Sequence, residues 1–204
     1  MDFLSTLTDM GNDEIRDEVI RDFYDNRILL INDEISDWLL ESVILNIIKW
    51  NDEDKDIPVE KRHPIRIYID SEGGSCITMN NLVDVIRSSQ TKVIGVAFSI
   101  VASAAFSVYI ACHERYAWKH SSFLMHESSR SLSNSASRMR NWMDFMDDLD
   151  EIDRQLVLER TNITEDEYEE RRKDEFLFFS PEAAKMGIVD KIIGEDGCTI
   201  YDIL

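Results

Sequence analysis

The sequence predicts an α/β fold of repeated strand–helix units, on three observations. Short β-branched runs alternate with stretches of helical apolar spacing: RILLIND precedes SDWLLESVILNIIKWN, PIRIYID precedes CITMNNLVDVIRSS, and TKVIGVAF precedes VASAAFSVYIACH. The 204 residues, 44% hydrophobic, supply core enough for one compact domain or a domain with a protruding element. No internal repeat, low-complexity tract or Pro/Gly linker divides the chain, which carries only three prolines and seven glycines. Such alternation implies parallel strands with right-handed crossovers, so functional groups should gather at the carboxyl ends of the strands.

Each element has a local reason. After a polar N-terminal segment, RILLIND reads as a buried strand, and Ser36 is the expected N-cap of the helix that follows. NDEDKDIPVEKRH is a charged loop before the alternating strand PIRIYID, and SEGGS is a tight glycine turn opening the second helix. TKVIGVAF is the third strand, with VASAAFSVYIACH as its helix, and ERYAWKHSSFLMHES holds two short strands. From about 135 to 161 runs a long helix with acidic flanks, whose Met139, Trp142, Met143, Met146, Leu149, Ile152 and Leu156 form an apolar stripe. Extended EFLFF, a short helix at SPEAAKMG with proline in its first turn, and a strand at IVDKII close the chain.

Composition excludes several classes of function. With 41 acidic against 22 basic side chains the formal charge is −19, so a nucleic-acid or anionic membrane partner would be repelled over most of the surface. The acidic runs NDEDKD, DDLDEID and TEDEYEE read as solvated faces. Cys76, Cys112 and Cys198 are odd in number and lack C-x-x-C spacing, which argues against a disulfide framework or a zinc site; no metal is expected. The N-terminus lacks a basic region followed by an apolar one, and no apolar run is long enough to span a bilayer, so a cytoplasmic location is expected.

Ser103, within SIVASAAF, taken alone reads as a packing hydroxyl that bonds a carbonyl one turn earlier. A nucleophilic serine needs a base, a group to orient that base, and amides to hold an oxyanion. Of four histidines, His63 precedes a proline in a charged loop, and His113 and His120 flank polar turns. His126 instead ends the apolar run SSFLM, held in place yet facing a rim, where a general base is useful. Gly73 and Gly74 offer bare amides where a strand turns into a helix, although no phosphate-loop G-K-[ST] follows. Asp174 and Glu175, just before FLFF, are candidate orienting acids, although acids in RRKDEF are more often surface charges than members of a triad.

The order of these features resembles the proteolytic subunit of the ATP-dependent Clp proteases, over roughly 19 to 193. IDSEGGS matches the family's INSPGGS, SIVAS its GMAAS, FLMHES its VMIHQP, RILLINDEI its RIIFLTGQV, and RRKDEFLFFSPEAAKMGIVD its ERDRFLSAPEAVEYGLVD. The resemblance implies a crotonase-like α/β core, 19–204, behind a divergent segment 1–18, with a projecting strand–helix handle over about 128–161. It implies Ser103 as nucleophile, His126 as general base and then acid, and the amides of Gly74 and Ala104 as oxyanion hole. Residue type favours Asp174 as the third member, while an ungapped count back from GIVD gives Glu175. Peptide would lie extended beside Ser129, Arg130 and Ser131.

The same resemblance implies a serine endopeptidase acting on unfolded protein. It also implies a homo-oligomeric heptameric ring, stacked on a second ring through its handles. No cofactor is bound by this chain, and ATP is used only by an AAA+ unfoldase partner. The departures are Glu72 for the family's proline, Ser99 and Ala105 for glycines flanking the nucleophile, and SSRSLSNS for the glycines after the histidine. They keep two further functions in view: a catalytically silent ring subunit, and an acyl-CoA hydratase or isomerase of the same broad fold.

Overall fold

A computed structural model describes residues 16–127 and 135–204. A helix over 16–25 (α1), within and beyond the predicted polar segment, leads into β1 (Ile28–Ile31). A π-helical stretch at Leu40–Ile44 runs into α2 (Leu45–Glu53). Ser36 does not cap it: Ile35 is held extended against the glycine turn, its N–H donating to Gly73 at 2.8 Å. The chain turns into helix only at Leu39, whose N–H reaches the Ser36 carbonyl. β2 (Ile65–Ser71) and α3 (Cys76–Ser88) follow, with the Ser75 hydroxyl capping Thr78 N–H at 3.2 Å.

β3 (Val93–Ala102) is longer than TKVIGVAF, because Ile100 and Val101 continue the β-branched pattern and pair with a further strand. The helix α4 (Ala104–Ala111) therefore begins three residues later than the sequence suggests, and Ser103 stands at the corner. β4 (Glu114–Trp118), β5 (Ser122–Met125), α5 (Ala136–Arg160), α6 (Glu165–Arg171) and β6 (Phe176–Phe179) come next, then α7 (Ser180–Lys185) and β7 (Lys191–Ile193). Ser180 is the first helical residue of α7, and its buried hydroxyl donates to the Trp118 carbonyl at 2.6 Å.

Strands β1, β2, β3, β4 and β7 lie side by side in parallel, as repeated strand–helix units require. β3 then changes neighbour. Its first half pairs with β4 through Ile94–Ala97, its second with β5 through Ile100–Ala102, and β6 runs antiparallel to β5. Where the partner changes, the Ser121 hydroxyl donates to the Ala97 carbonyl at 2.9 Å and to that of Phe98.

Alternation along the strands divides the core. Ile67, Ile69, Val93 and Ala97 face the helices, where Phe106, Tyr109 and Phe123 are fully buried. Ile28, Tyr68, Ile94, Val96 and Tyr116 form a smaller cluster on the opposite face. The end of α2 is tied down by a buried ion pair, Asp54 receiving Arg27 at 2.6 and 2.9 Å and the Thr91 hydroxyl at 2.8 Å. The predicted stripe on α5 divides: Leu149 and Leu156 are buried, whereas Trp142, Met143 and Ile152 are exposed. Among the described residues no helix is long and apolar enough to cross a membrane.

Candidate active site

The carboxyl end of β3 and the end of β5 meet because Ala102 is in register with Leu124. One residue further, Ser103 donates its N–H to the Leu124 carbonyl at 3.0 Å and accepts the Phe106 N–H at 2.9 Å, which fixes the strand-to-helix corner. Its backbone is at φ 53° and ψ −125°. A side chain at positive φ costs about 1–3 kcal/mol and persists only where its surroundings over-determine it. The corner lifts the hydroxyl off the end of α4, and His126, immediately after β5, brings Nε2 to 2.9 Å from Ser103 Oγ. Two side chains 23 residues apart, each ordinary alone, are thus brought within hydrogen-bonding distance.

The glycine turn approaches the same corner. Gly73, at φ +104°, lies so near that a β-carbon on it would stand 3.0 Å from the Ala104 nitrogen. Gly74 backs onto Ile35, with the Ile35 carbonyl receiving Ser75 N–H at 2.7 Å. Neither the Gly74 nor the Ala104 N–H has an acceptor among the described residues. The Ala104 amide opens α4, where the helix dipole favours negative charge.

The orienting acid is not drawn in. Asp174 and Glu175 are both exposed, and neither is hydrogen-bonded to His126. Their positions differ, however. Met125 and Phe176 form the last pair of the β5–β6 ladder; the same register continued one step would set Glu175 across from His126. Asp174 falls opposite Glu127, where the strand has already given way to a bond from Glu127 N–H to the Arg172 carbonyl. The substrate-strand candidates Ser129, Arg130 and Ser131 lie outside the described residues, as does the handle strand.

A cavity of about 280 Å³ opens at Ser103 and His126 and runs between α4, α5 and α6. Its lining includes the apolar Phe106, Met125 and Leu149 and also Asp153, to which the Ser107 hydroxyl donates. Burial drives the Asp153 carboxyl up from 3.8 to about 6, the Ser107 bond opposing the shift and the neighbouring Asp150 adding to it. The run DDLDEID is therefore not all solvated face, as its charge suggested. The spacing of Asp147, Asp150 and Asp153, three residues apart on one helix, is the sequence signal that they share a side. Among the described residues no group of three or more His, Cys, Asp or Glu is placed to hold a metal ion.

Known proteins carry the same pattern. The chain is 28% identical over 132 residues to the ATP-dependent Clp protease proteolytic subunit 2 of Pseudomonas aeruginosa, a match spanning 64% of this chain and 66% of that protein. Against the subunit of the same name from Bifidobacterium longum it is 23% identical over 195 residues, covering 93% of this chain and 91% of the other. Its fold superimposes on that of a ClpP1 variant from Listeria monocytogenes with a TM-score of 0.73 at 23% identity, over 87% of this chain and 97% of that one. The sequence pattern of Clp proteases matches residues 11–196, nearly the whole length, and the chain belongs to the Clp protease family.

Proposed function

We propose that this chain is a serine-type endopeptidase, the proteolytic subunit of a self-compartmentalised protease that hydrolyses unfolded polypeptide through an acyl-enzyme. The observation that carries this is the 2.9 Å approach of His126 Nε2 to Ser103 Oγ at a strained corner. Oγ attacks the scissile carbonyl carbon while its proton passes to Nε2. The amides of Gly74 and Ala104 receive the oxyanion, and His126 then protonates the leaving amine. Water, deprotonated by His126, attacks the ester carbon, and the proton returns to Ser103 as the acid product leaves.

The oxyanion amides lie at strand ends, where the fold gathers functional groups. The exposed Trp142, Met143 and Phe145 on the projecting half of α5 suit contact between stacked rings, because such a patch on a free helix calls for cover. Ring assembly, peptide bound along Ser129–Ser131, a cytoplasmic location and an AAA+ unfoldase that alone consumes ATP complete this proposal.

A fluorophosphonate and intact-mass measurement test it. One adduct per subunit is expected, absent in Ser103→Ala. No adduct on a folded, assembled sample, or equal labelling of the variant, overturns it. In light scattering a particle near the single-chain 23.8 kDa overturns the ring.

A second function, a catalytically silent ring subunit, is favoured by one observation: among the described residues no carboxylate bonds to His126. It predicts no peptidase activity together with stable co-assembly with an active subunit.

A further inference from the structure

The cavity beside Ser103 is amphipathic in a particular order. Phe106, Met125 and Leu149 line it together with the reacting pair, and the charged side chains on its wall include Asp153, Arg154 and Arg172. Both guanidiniums are already shared. Arg154 bonds Glu151 at 2.8 and 2.9 Å and Glu165 at 2.8 Å; Arg172 bonds Glu169 at 2.8 Å and Glu127 at 3.2 Å. Asp153 receives a neutral donor, the Ser107 hydroxyl, and among the described residues no cationic side chain reaches it. A half-buried carboxylate in that setting is held away from water without a counter-charge, so a cation entering the cavity gains what the fold withholds.

We propose that this cavity is the pocket for the side chain on the acyl side of the scissile bond, and that Asp153 selects lysine or arginine there. The inference rests on Ser103 being the nucleophile. A lysine or arginine suits this lining: its methylene stem lies along the apolar side chains and its charged head meets Asp153, with Asp150 one helical turn before it. An aliphatic side chain would leave Asp153 uncompensated, and an acidic one would meet like charge. Ser107 is the positioning residue, since its hydroxyl fixes the carboxylate that the cation meets.

Two measurements on the full-length protein test this. Peptidyl diphenyl phosphonates that differ only in a terminal lysine-like or leucine-like side chain are compared by their rates of Ser103 labelling, read by intact mass. The expected result is that the basic probe labels at least about tenfold faster. In Asp153→Asn, and in Asp150→Asn as a second variant should the first not fold, that ratio falls several-fold. Faster labelling by the leucine-like probe, or a ratio unmoved in both variants, overturns the inference while leaving the serine peptidase intact.

The second measurement is calorimetric binding of short peptides ending in lysine or leucine to Ser103→Ala. Lysine preference there, with no phosphonate adduct on the unaltered protein, would sink the peptidase and keep the pocket's selectivity. No preference in either measurement overturns the inference.

Discussion

Gly73 lies against Ser103 so closely that a β-carbon on the glycine would come within 2.7 Å of the serine's own. The glycine turn and the Ser103 corner are therefore one construction. At φ +104° a side chain is strained as well as crowded, with the Ala102 carbonyl only 2.8 Å from the added carbon. Gly73→Ala is expected to cost about 1–3 kcal/mol of stability and to push the serine off its histidine. Displacement of that kind slows Ser103 labelling about 100-fold. Gly197→Ala is the control: φ is +81° but nothing stands within 4 Å, so stability falls and labelling does not. Equal labelling losses in the two variants would refute the shared construction.

The β5–β6 ladder yields a prediction about which acid would orient His126. Because its register, continued one step beyond Met125–Phe176, would set Glu175 across from His126, Glu175→Gln is expected to slow labelling about tenfold or more, and more than Asp174→Asn does. A larger loss in Asp174→Asn would instead support the aspartate that residue type favours. Single-turnover labelling with a fluorophosphonate separates the two.

How far the sequence reaches follows from these residues. Strand–helix alternation makes the parallel sheet legible, and the rule that groups gather at strand ends sets Ser103, His126 and the glycines at neighbouring rims. The corner itself was less visible: Val101 and Ala102 read as helix in VASAAF, and pairing with β5, a non-local event, makes them strand. Asp153 was hidden for a different reason. A carboxylate in an acidic helix is solvated unless the helix packs, and only tertiary contact puts Asp153 over a cavity beside Ser107. Asp174 and Glu175 differ by one residue, hence by opposite faces of a strand, a choice that depends on where the β6 ladder ends.

Asp153 also makes a stability prediction of defined sign. Its carboxyl titrates at about 6 in the fold against an ordinary 3.8, so the folded chain holds the proton more tightly than the unfolded one. The group's contribution is therefore most favourable below 3.8, declines as pH rises through about 6, and is an unfavourable constant above it. Asp153→Asn keeps an acceptor for Ser107 and removes the ionisation. The variant should be more stable than the unaltered protein by about 1–3 kcal/mol at pH 8 and by much less at pH 4. Urea unfolding at the two pH values reads this. A variant less stable at pH 8 would show that the charge is compensated in the fold.

Asp54 behaves in the opposite sense. The Arg27 guanidinium, bonded to it at 2.6 and 2.9 Å, holds its carboxyl below the ordinary range against the opposing effect of burial, with Thr91 assisting. Its contribution is present above pH 3.8 and is lost as pH falls through the lowered value. Only 1% of Asp54 is exposed, so Asp54→Ala strands a guanidinium that is itself largely covered, at a cost of about 3–5 kcal/mol. Because the pair joins the start of β1 to the end of α2, far along the chain from Ser103, the loss should appear in unfolding rather than in labelling. At a temperature where the variant remains folded, its labelling rate should match that of the unaltered chain. Urea midpoints between pH 3 and pH 7 should steepen with pH in the unaltered protein more than in the variant. Parallel curves would mean that Arg27 does not discriminate between the charged and neutral forms of Asp54.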